Sequence, residues 1–393
     1  MRELLVDPQV QAALAFAQTN EPRVLEYQIQ LTEIPAPPFQ EQARGRAYAQ
    51  MFRERGLTGV RTDDVGNVLG MRPGRNPSPL LVLSAHLDTV FPEGTDVTVK
   101  RDGDRLSAPG IGDDGRGLAV VLGVLDALNH AKVETAGSIL FVGTVGEEGL
   151  GDLRGVKHLF QKELPGKIDR FISVDGVRAS IVNVGVGSYR YRVTYSGPGG
   201  HSYGSFGMTS PIHALGRLSA SIAEFETAPG PKTTFSVGRI GGGTSVNSIA
   251  HDAWLEVDMR SQDKDALETL HAKFQTAAAK ALAAERARWQ DRAPLEASLD
   301  QVGYRPAGQT PEDSPAVQAA IVATQALELD PEMHEGSTDA NIGMSLGVPA
   351  ITIGGGGHGQ GAHSPSESFD ADESYKGVQR ALLVALALSG DLE

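Results

Sequence analysis

The sequence predicts an α/β protein in which a mixed, mostly parallel sheet flanked by helices is interrupted by a second, ferredoxin-like α/β unit. Three observations carry that expectation. Short β-branched, apolar runs at residues 81–84, 139–145, 171–174 and 350–353 read as buried strands. They alternate with segments of helical period, such as LAVVLGVLDAL at 118–128 and the stretch 377–388. Unbroken apolar strands separated by helices are what a sheet covered on both faces requires. From 187 to about 307 the texture changes to half-buried alternation, in the order strand, helix, strand, strand, helix, strand. That order is the split βαβ unit.

Each element of the second unit has a local reason. SYRYRVTYS (188–196) alternates like a strand with one exposed face, and SPIHALGRLSASIAEFE (210–226) is amphipathic, with Ser210 as cap and Pro211 in the first turn. TTFSVGRIGG (233–242), AWLEVDMRS (253–261), a long helix from 266 to about 289 and LEASLDQV (295–302) complete it. The first unit resumes near Ser314 with SPAVQAAIVATQALEL. The expected division is therefore residues 1–187 and 307–393 against residues 188–306, consistent with a chain of 393 residues exceeding one ordinary core.

Composition narrows the function classes. Hydrophobic residues at 40% and charged residues at 21% make a normal globular mixture. A balance of 35 Lys+Arg against 49 Asp+Glu, net charge −14, repels phosphate backbones and anionic membranes, so neither nucleic acid nor membrane is an expected partner. With no cysteine, any metal must be held by histidine and carboxylate. The start, MRELLVDPQVQAALAFAQTNEP, lacks the basic-then-apolar order of a signal peptide and no apolar run reaches ~18 residues, so the cytoplasm is the expected location.

In open α/β sheets, sites lie beyond the carboxyl ends of strands. After LLVLSA comes His86-Leu87-Asp88, after SILFVGTV come Glu147 and Glu148, after RFISV comes Asp175, and after PAITIGGGGHGQGA comes His363. GIGDDGRG adds Asp113-Asp114 at the mouth of the helix that begins near Gly117. Singly, each has an ordinary structural explanation: a hydrogen-bonded histidine, or a solvated glutamate pair. At one sheet edge these groups would repel one another unless cations sat among them. Two histidines with several carboxylates suit a pair of zinc-like divalent ions bridged by one carboxylate, which together polarise a carbonyl and activate water. Asp88, two residues past His86 in extended chain, points to the same side and can accept the imidazole N–H. Of two adjacent glutamates, one can bind metal while the other is free to act as general base.

The set SAHLDTV, GIGDDGRG, GEEG, SVDG, GGHS, NSIAHDAWLEVDMR and GAHSPSESFD spans nearly the whole chain. It resembles the M20 family of co-catalytic zinc peptidases, which includes tripeptidase T, glutamate carboxypeptidases, aminoacylases and succinyl-diaminopimelate desuccinylase. The resemblance implies a zinc-peptidase catalytic domain holding two zinc ions per subunit, with cobalt and manganese as other suitable ions. It puts His86 and Asp175 on one metal, Glu148 and His363 on the other, and Asp113 between them. It makes Glu147 the general base, Asp88 the acid that orients His86, and the Asp113–Asp114 peptide bond cis. It also makes the inserted unit a lid through which two chains pair as a homodimer. There His201 would contact the tetrahedral intermediate, of the partner's site, while Asn247 and Arg260 hold the substrate. One departure is Gly115 after Asp113-Asp114, where the family commonly has lysine or methionine; it is expected to loosen the helix entrance.

Three further motifs compete for attention. GHSYG matches the G-x-S-x-G nucleophile elbow, but too many residues separate Ser202 from the helix cap at Ser210 for a strand-to-helix turn, and a triad of Ser202, Asp339 and His363 leaves the other acids unexplained. GGGGHG satisfies G-x-G-x-x-G, yet Ser364, Pro365 and Ser366 argue for loop and not for the helix a dinucleotide needs. Gly354–Gly357 is then either a flexible turn or a nest of N–H groups facing a substrate carboxylate. Thr338 and Asp339 open a helix in STDAN, where capping alone accounts for them.

The expected activity is metal-dependent hydrolysis of amide bonds in small peptides, di- and tripeptides above all. IPAPPFQE, STDAN and GGGGHGQGAHS look more like the tripeptidase branch. An N-acyl amino acid deacylase or carboxypeptidase of the same family, a serine hydrolase using Ser202, and a non-catalytic metal- or peptide-binding module are the alternatives.

Overall fold

A computed structural model describes residues 1–390. The chain divides into two compact units, Val186–Gly308 and the residues to either side of it.

The larger unit is built on a nine-stranded sheet. Its centre is four parallel strands, Ser138–Thr144, Leu80–His86, Arg170–Val174 and Ala350–Ile353, adjacent in that order. All residues of the first two are buried, which is why their sequences show unbroken apolar runs. Alternate side chains enter different cores. Leu81, Leu83, Ile139, Phe141, Ile172 and Ile351 face the helices Glu21–Thr32, Gly115–His130 and Tyr375–Leu388 through Leu118, Val121, Leu382 and their neighbours. Val82, Leu140, Val142 and Phe171 pack against Val156, Leu159, Phe160 and Ile342. Beyond the centre, pairing turns antiparallel, with Val68–Arg72 and Thr58–Thr62 on one side and Ser180–Gly185 on the other.

A small antiparallel sheet, His358–Gln360, Ser368–Asp370, Arg105–Ser107 and Lys100–Asp102, ties the loop bearing His363 to the loop bearing Asp113. The Asp113–Asp114 bond is cis, as are Ser78–Pro79 and Gly230–Pro231.

Two expectations need correcting. Gly115 does not loosen the helix entrance: a Cβ there would stand 2.4 Å from Thr32 Oγ1 and 2.8 Å from the Gly110 carbonyl, so close packing accounts for the glycine. Gly354–Gly357 is neither a flexible turn nor an anion nest. The N–H groups of Gly354, Gly355 and Gly356 donate to the carbonyls of Ser180, Gly176 and Arg178 at 3.1, 2.9 and 3.2 Å. Arg116 Nε donates back to the Gly355 carbonyl at 2.8 Å, and the helix Tyr375–Leu388 crosses so closely that a Cβ on Gly377 would meet that oxygen at 1.9 Å. The run is a packed crossing point with the amides of Gly354, Gly355 and Gly356 committed.

In Val186–Gly308, four antiparallel strands lie in the order Thr233–Gly242, Asp252–Ser261, Gly187–Ser196, Glu296–Arg305. This is the strand order of the split βαβ unit. Tyr191, Val193 and Tyr195 alternate inward, meeting Leu215 and Leu218 of the helix Pro211–Ala223 and Phe274 of the helix Lys264–Arg288. The Ser210 hydroxyl caps the first helix at His213 N, 3.4 Å, and Asp263 caps the second at Ala266 N, 2.8 Å. Thr233–Gly242 is an edge strand, with Ile240 exposed. Among the described residues no helix is long and apolar enough to cross a membrane.

Candidate metal centre

The carboxyl ends of all four central parallel strands carry candidate site residues. His86 ends its strand and Asp175 immediately follows another; Glu147 and Glu148 come three and four residues after Thr144; His363 lies beyond Ile353, in a left-handed backbone conformation (φ 64°) uncommon for a side chain of this size. Asp113 sits on the loop before the helix Gly115–His130, and Asp114 caps that helix at Gly117 N, 3.0 Å.

His86 Nε2 lies 3.0 Å from Asp113 Oδ1 and 3.9 Å from Asp175 Oδ1. His363 Nε2 lies 3.0 Å from Asp113 Oδ2 and 3.0 Å from Glu148 Oε1. Two convergent groups result, His86–Asp113–Asp175 and Asp113–Glu148–His363, and they share Asp113. The fit to metal can be tested on the donors themselves. His86 Nδ1 faces the Asp88 carbonyl at 3.0 Å, which can only accept, so Nδ1 carries the proton and Nε2 presents a lone pair to the two carboxylates. Lone pair facing carboxylate is repulsive unless a cation or an added proton lies between. Ligands about 2.0–2.2 Å from one zinc stand about 3.3 Å apart in a tetrahedral shell, and the observed separations bracket that value. The residues fit two divalent ions with Asp113 between them.

Without a cation the same cluster draws protons. Burial works against charge on His86, but Asp114, Asp113, Asp88 and Asp175 together hold its pKa well above the usual histidine range. The Asp113 and Glu148 carboxylates raise His363 to about 10. Burial raises the Asp113 carboxyl, yet the rings of His363 and His86 outweigh it and leave it well below the ordinary carboxylate range. Asp175 is pushed up to about 7 by burial, against the pull of His86 and with Asp113, Glu148 and Asp339 repelling its charge.

The Asp88 geometry differs from the sequence expectation. Its main-chain carbonyl is the nearest acceptor for the His86 ring, while its carboxylate stands 3.7 Å from Nδ1. That carboxylate instead accepts the N–H groups of Glu147 at 3.0 Å and Glu148 at 2.8 Å, so one buried acid joins two strand ends.

Of three further buried acids at this edge, sequence reasoning named Asp114 and Asp339 in other roles and missed Glu367. Asp114 accepts His86 N–H at 3.0 Å, and Asp339 accepts the Thr144 hydroxyl at 2.5 Å. Glu367, four residues after His363, accepts three N–H groups of the Asp113 loop. Asp114 in its Asp-Asp pair and Asp339 in STDAN had local signals, and Glu367 had none. Two further groups of possible ligands are His86–Glu147–Glu148 and Asp63–His158–Glu163. The latter is already committed: Asp63 Oδ1 accepts Val65, Gly66 and Asn67 N–H, and Arg61 pairs with Glu163.

In Val186–Gly308, the segments Gly200–His201 and Ser248–Ile249 pair, and Ser202 N donates to Asn247 O at 2.9 Å, so His201 and Asn247 are brought together. His201 is exposed, its Nδ1 accepting Tyr203 and Gly204 N–H at 3.2 and 3.3 Å. Arg260 is not near them. It lies toward the far end of Asp252–Ser261, paired to Asp258 at 2.7 Å. Ser202 is no nucleophile elbow, because the strand ends at His201 and the helix begins only at Pro211.

Against known proteins, the chain is 35% identical over 120 residues to a Pyrococcus abyssi protein named as a LysW-lysine/LysW-ornithine hydrolase, a match covering 30% of this chain and 32% of that protein. A Pyrococcus horikoshii protein of the same name is 24% identical over 375 residues, 94% of this chain and 99% of that one. The aligned stretch thus spans only about a third of the first relative and almost all of the second. The crystal structure of aminopeptidase PepT from Bacillus cereus superposes with a TM-score of 0.75 at 19% identity, covering 94% of this chain and 99% of that one, a likeness of fold. The profile of peptidase family M20/M25/M40 matches residues 82–387, a span containing every strand end that carries a site residue. The chain belongs to the peptidase family M20/M25/M40.

Proposed function

We propose that the protein hydrolyses amide bonds in small peptides, with two zinc ions per subunit, cobalt or manganese suiting the same donors. The observation that carries this reading is the pair of ligand groups sharing Asp113 at the carboxyl edge of the sheet. When bound, such a pair of cations polarises the scissile carbonyl and makes water nucleophilic at neutral pH. Glu147, held by Asp88 through its N–H, takes the proton from the attacking water and delivers it to the leaving amine. Asp88 and Asp114 hold His86, the first at the ring and the second at the main chain.

A second reading is release of a diamino acid from an N-acyl derivative. The names of the Pyrococcus relatives support it. One experiment separates the readings: purified protein is loaded with zinc and given di- and tripeptides beside N-acyl lysine and ornithine, with and without chelator and a serine-directed reagent. Turnover abolished by the chelator and untouched by the serine reagent is expected. Resistance to chelation would sink both readings, and the preferred substrate decides between them.

The unit Val186–Gly308 is proposed as a lid through which two chains pair, the exposed edge strand Thr233–Gly242 being one surface available for pairing. Its own geometry favours action across the dimer. Arg260 is eight strand residues from Asp252, at the end where the His201 loop leaves, roughly 26 Å at ~3.3 Å per residue. A tripeptide spans only about 10 Å. That spacing supports the reading in which His201 and Arg260 of one lid act on different substrates, each cleft taking one of them from the partner. Mixed dimers test this. Glu147→Ala and His201→Ala homodimers should each be nearly inactive, and unfolding and re-mixing them should recover up to about a quarter of wild-type activity, from the one complete site in each heterodimer. No recovery would assign His201 to its own chain.

A further inference from the structure

We propose that Glu367 is a positioning residue for the metal centre, a single carboxylate that sets the spacing between the loop bearing Asp113 and the loop bearing His363. The proposal rests on the reading that Asp113 lies between two metal ions. Glu367 is 2% exposed. Gly110 N–H donates to its Oε2 at 2.8 Å, and Gly112 and Asp113 N–H donate to its Oε1 at 2.8 and 3.0 Å. Charge-assisted bonds of this kind are roughly twice as strong as neutral ones. Three of them on one four-residue stretch hold the Asp113 main chain whether or not its side chain has a ligand.

Glu367 is itself anchored to the His363 side. Its N–H donates to the Ser364 carbonyl at 3.1 Å, and Ser364 in turn donates to Gly361 through main chain and hydroxyl at 3.0 and 2.7 Å. His363 lies inside that turn. On the other flank, the Glu367 carbonyl accepts Ala108 N–H at 3.1 Å and Ser368 pairs with Ser107. The separation of 3.0 Å between His363 Nε2 and Asp113 Oδ2 is thus set by a frame in which Glu367 is the cross-member. Glutamine is nearly the same size, but its amide nitrogen cannot accept, so at least one of the three N–H groups loses its partner and the loop is free to shift. Gly112 is the complementary probe, since a Cβ there would stand 3.2 Å from Glu367 Oε1 and 3.4 Å from Val177 Cγ1. Alanine at that position crowds the frame without removing the charge.

The test is titration of the metal-free full-length protein with Co²⁺, followed by its visible absorption, together with the thermal midpoint of each metal-free variant. Outer groups that orient metal ligands are worth about 10–100-fold in affinity. Glu367→Gln should weaken Co²⁺ binding by that factor and alter the absorption band, and Gly112→Ala should weaken it several-fold. Phe274→Leu, in the core of the other unit, serves as a stability-matched control and should bind Co²⁺ as wild type does. Unchanged affinity in Glu367→Gln would overturn the proposal, as would an equal loss in the control, which would reduce Glu367 to a stabilising role. If Glu367→Gln does not fold, Gly112→Ala carries the test, and wild-type affinity in it is the overturning result. Wild-type protein that takes up no second Co²⁺ is a different failure, that of the two-metal reading itself.

Discussion

Replacing Glu147 by glutamine is expected to cost at least the 10²–10⁴-fold typical of a lost general base, while each subunit keeps both metal ions. The substitution preserves shape, and the main-chain N–H of residue 147 remains bonded to Asp88. What disappears is the ability to take and return a proton. Glu148→Gln is expected to behave differently, because Glu148 Oε1 stands 3.0 Å from His363 Nε2 and completes the group with Asp113. It should lower metal content from two ions toward one. The pair is informative because His86, Glu147 and Glu148 also converge closely enough to hold an ion. Metal analysis alongside steady-state rates distinguishes the roles: if Glu147→Gln empties a position while Glu148→Gln leaves both filled, the assignments are reversed.

Asp113→Ala should empty the centre altogether, with activity falling on the order of 10³-fold or more, the scale of losing a preorganised electrostatic stabiliser. Asp113 is the one residue common to the groups with Asp175 and with His363, so its removal takes a ligand from each. Asp175→Ala and Glu148→Ala each remove a ligand from one group and should each leave one ion. The loop itself should hold in Asp113→Ala, because Glu367 grips its main chain and not the side chain. Circular dichroism and metal content measured together make the comparison, and two ions retained in Asp113→Ala would rule out a shared ligand.

The sequence by itself determined the architecture of both units and the edge at which the candidate site lies. Strands buried on both faces had to be unbroken apolar runs, the inserted unit had to alternate, and chemistry-bearing residues had to stand just past the strand ends, all of which are local patterns. His86, Glu148, Asp175 and His363 were legible for that reason, since each is marked by the run it follows. Only the tertiary structure decided how these residues are held. The Asp88 carboxylate spends itself on the amides of Glu147 and Glu148, the amides of Gly354–Gly356 are consumed by a chain crossing, and Glu367 reaches a loop some 250 residues away. A backbone N–H carries no residue identity, so a side chain that bonds one across the fold leaves no trace in the sequence of its partner. Spacing along the chain could find the candidate ligands, and only packing could reveal what fixes the distances between them.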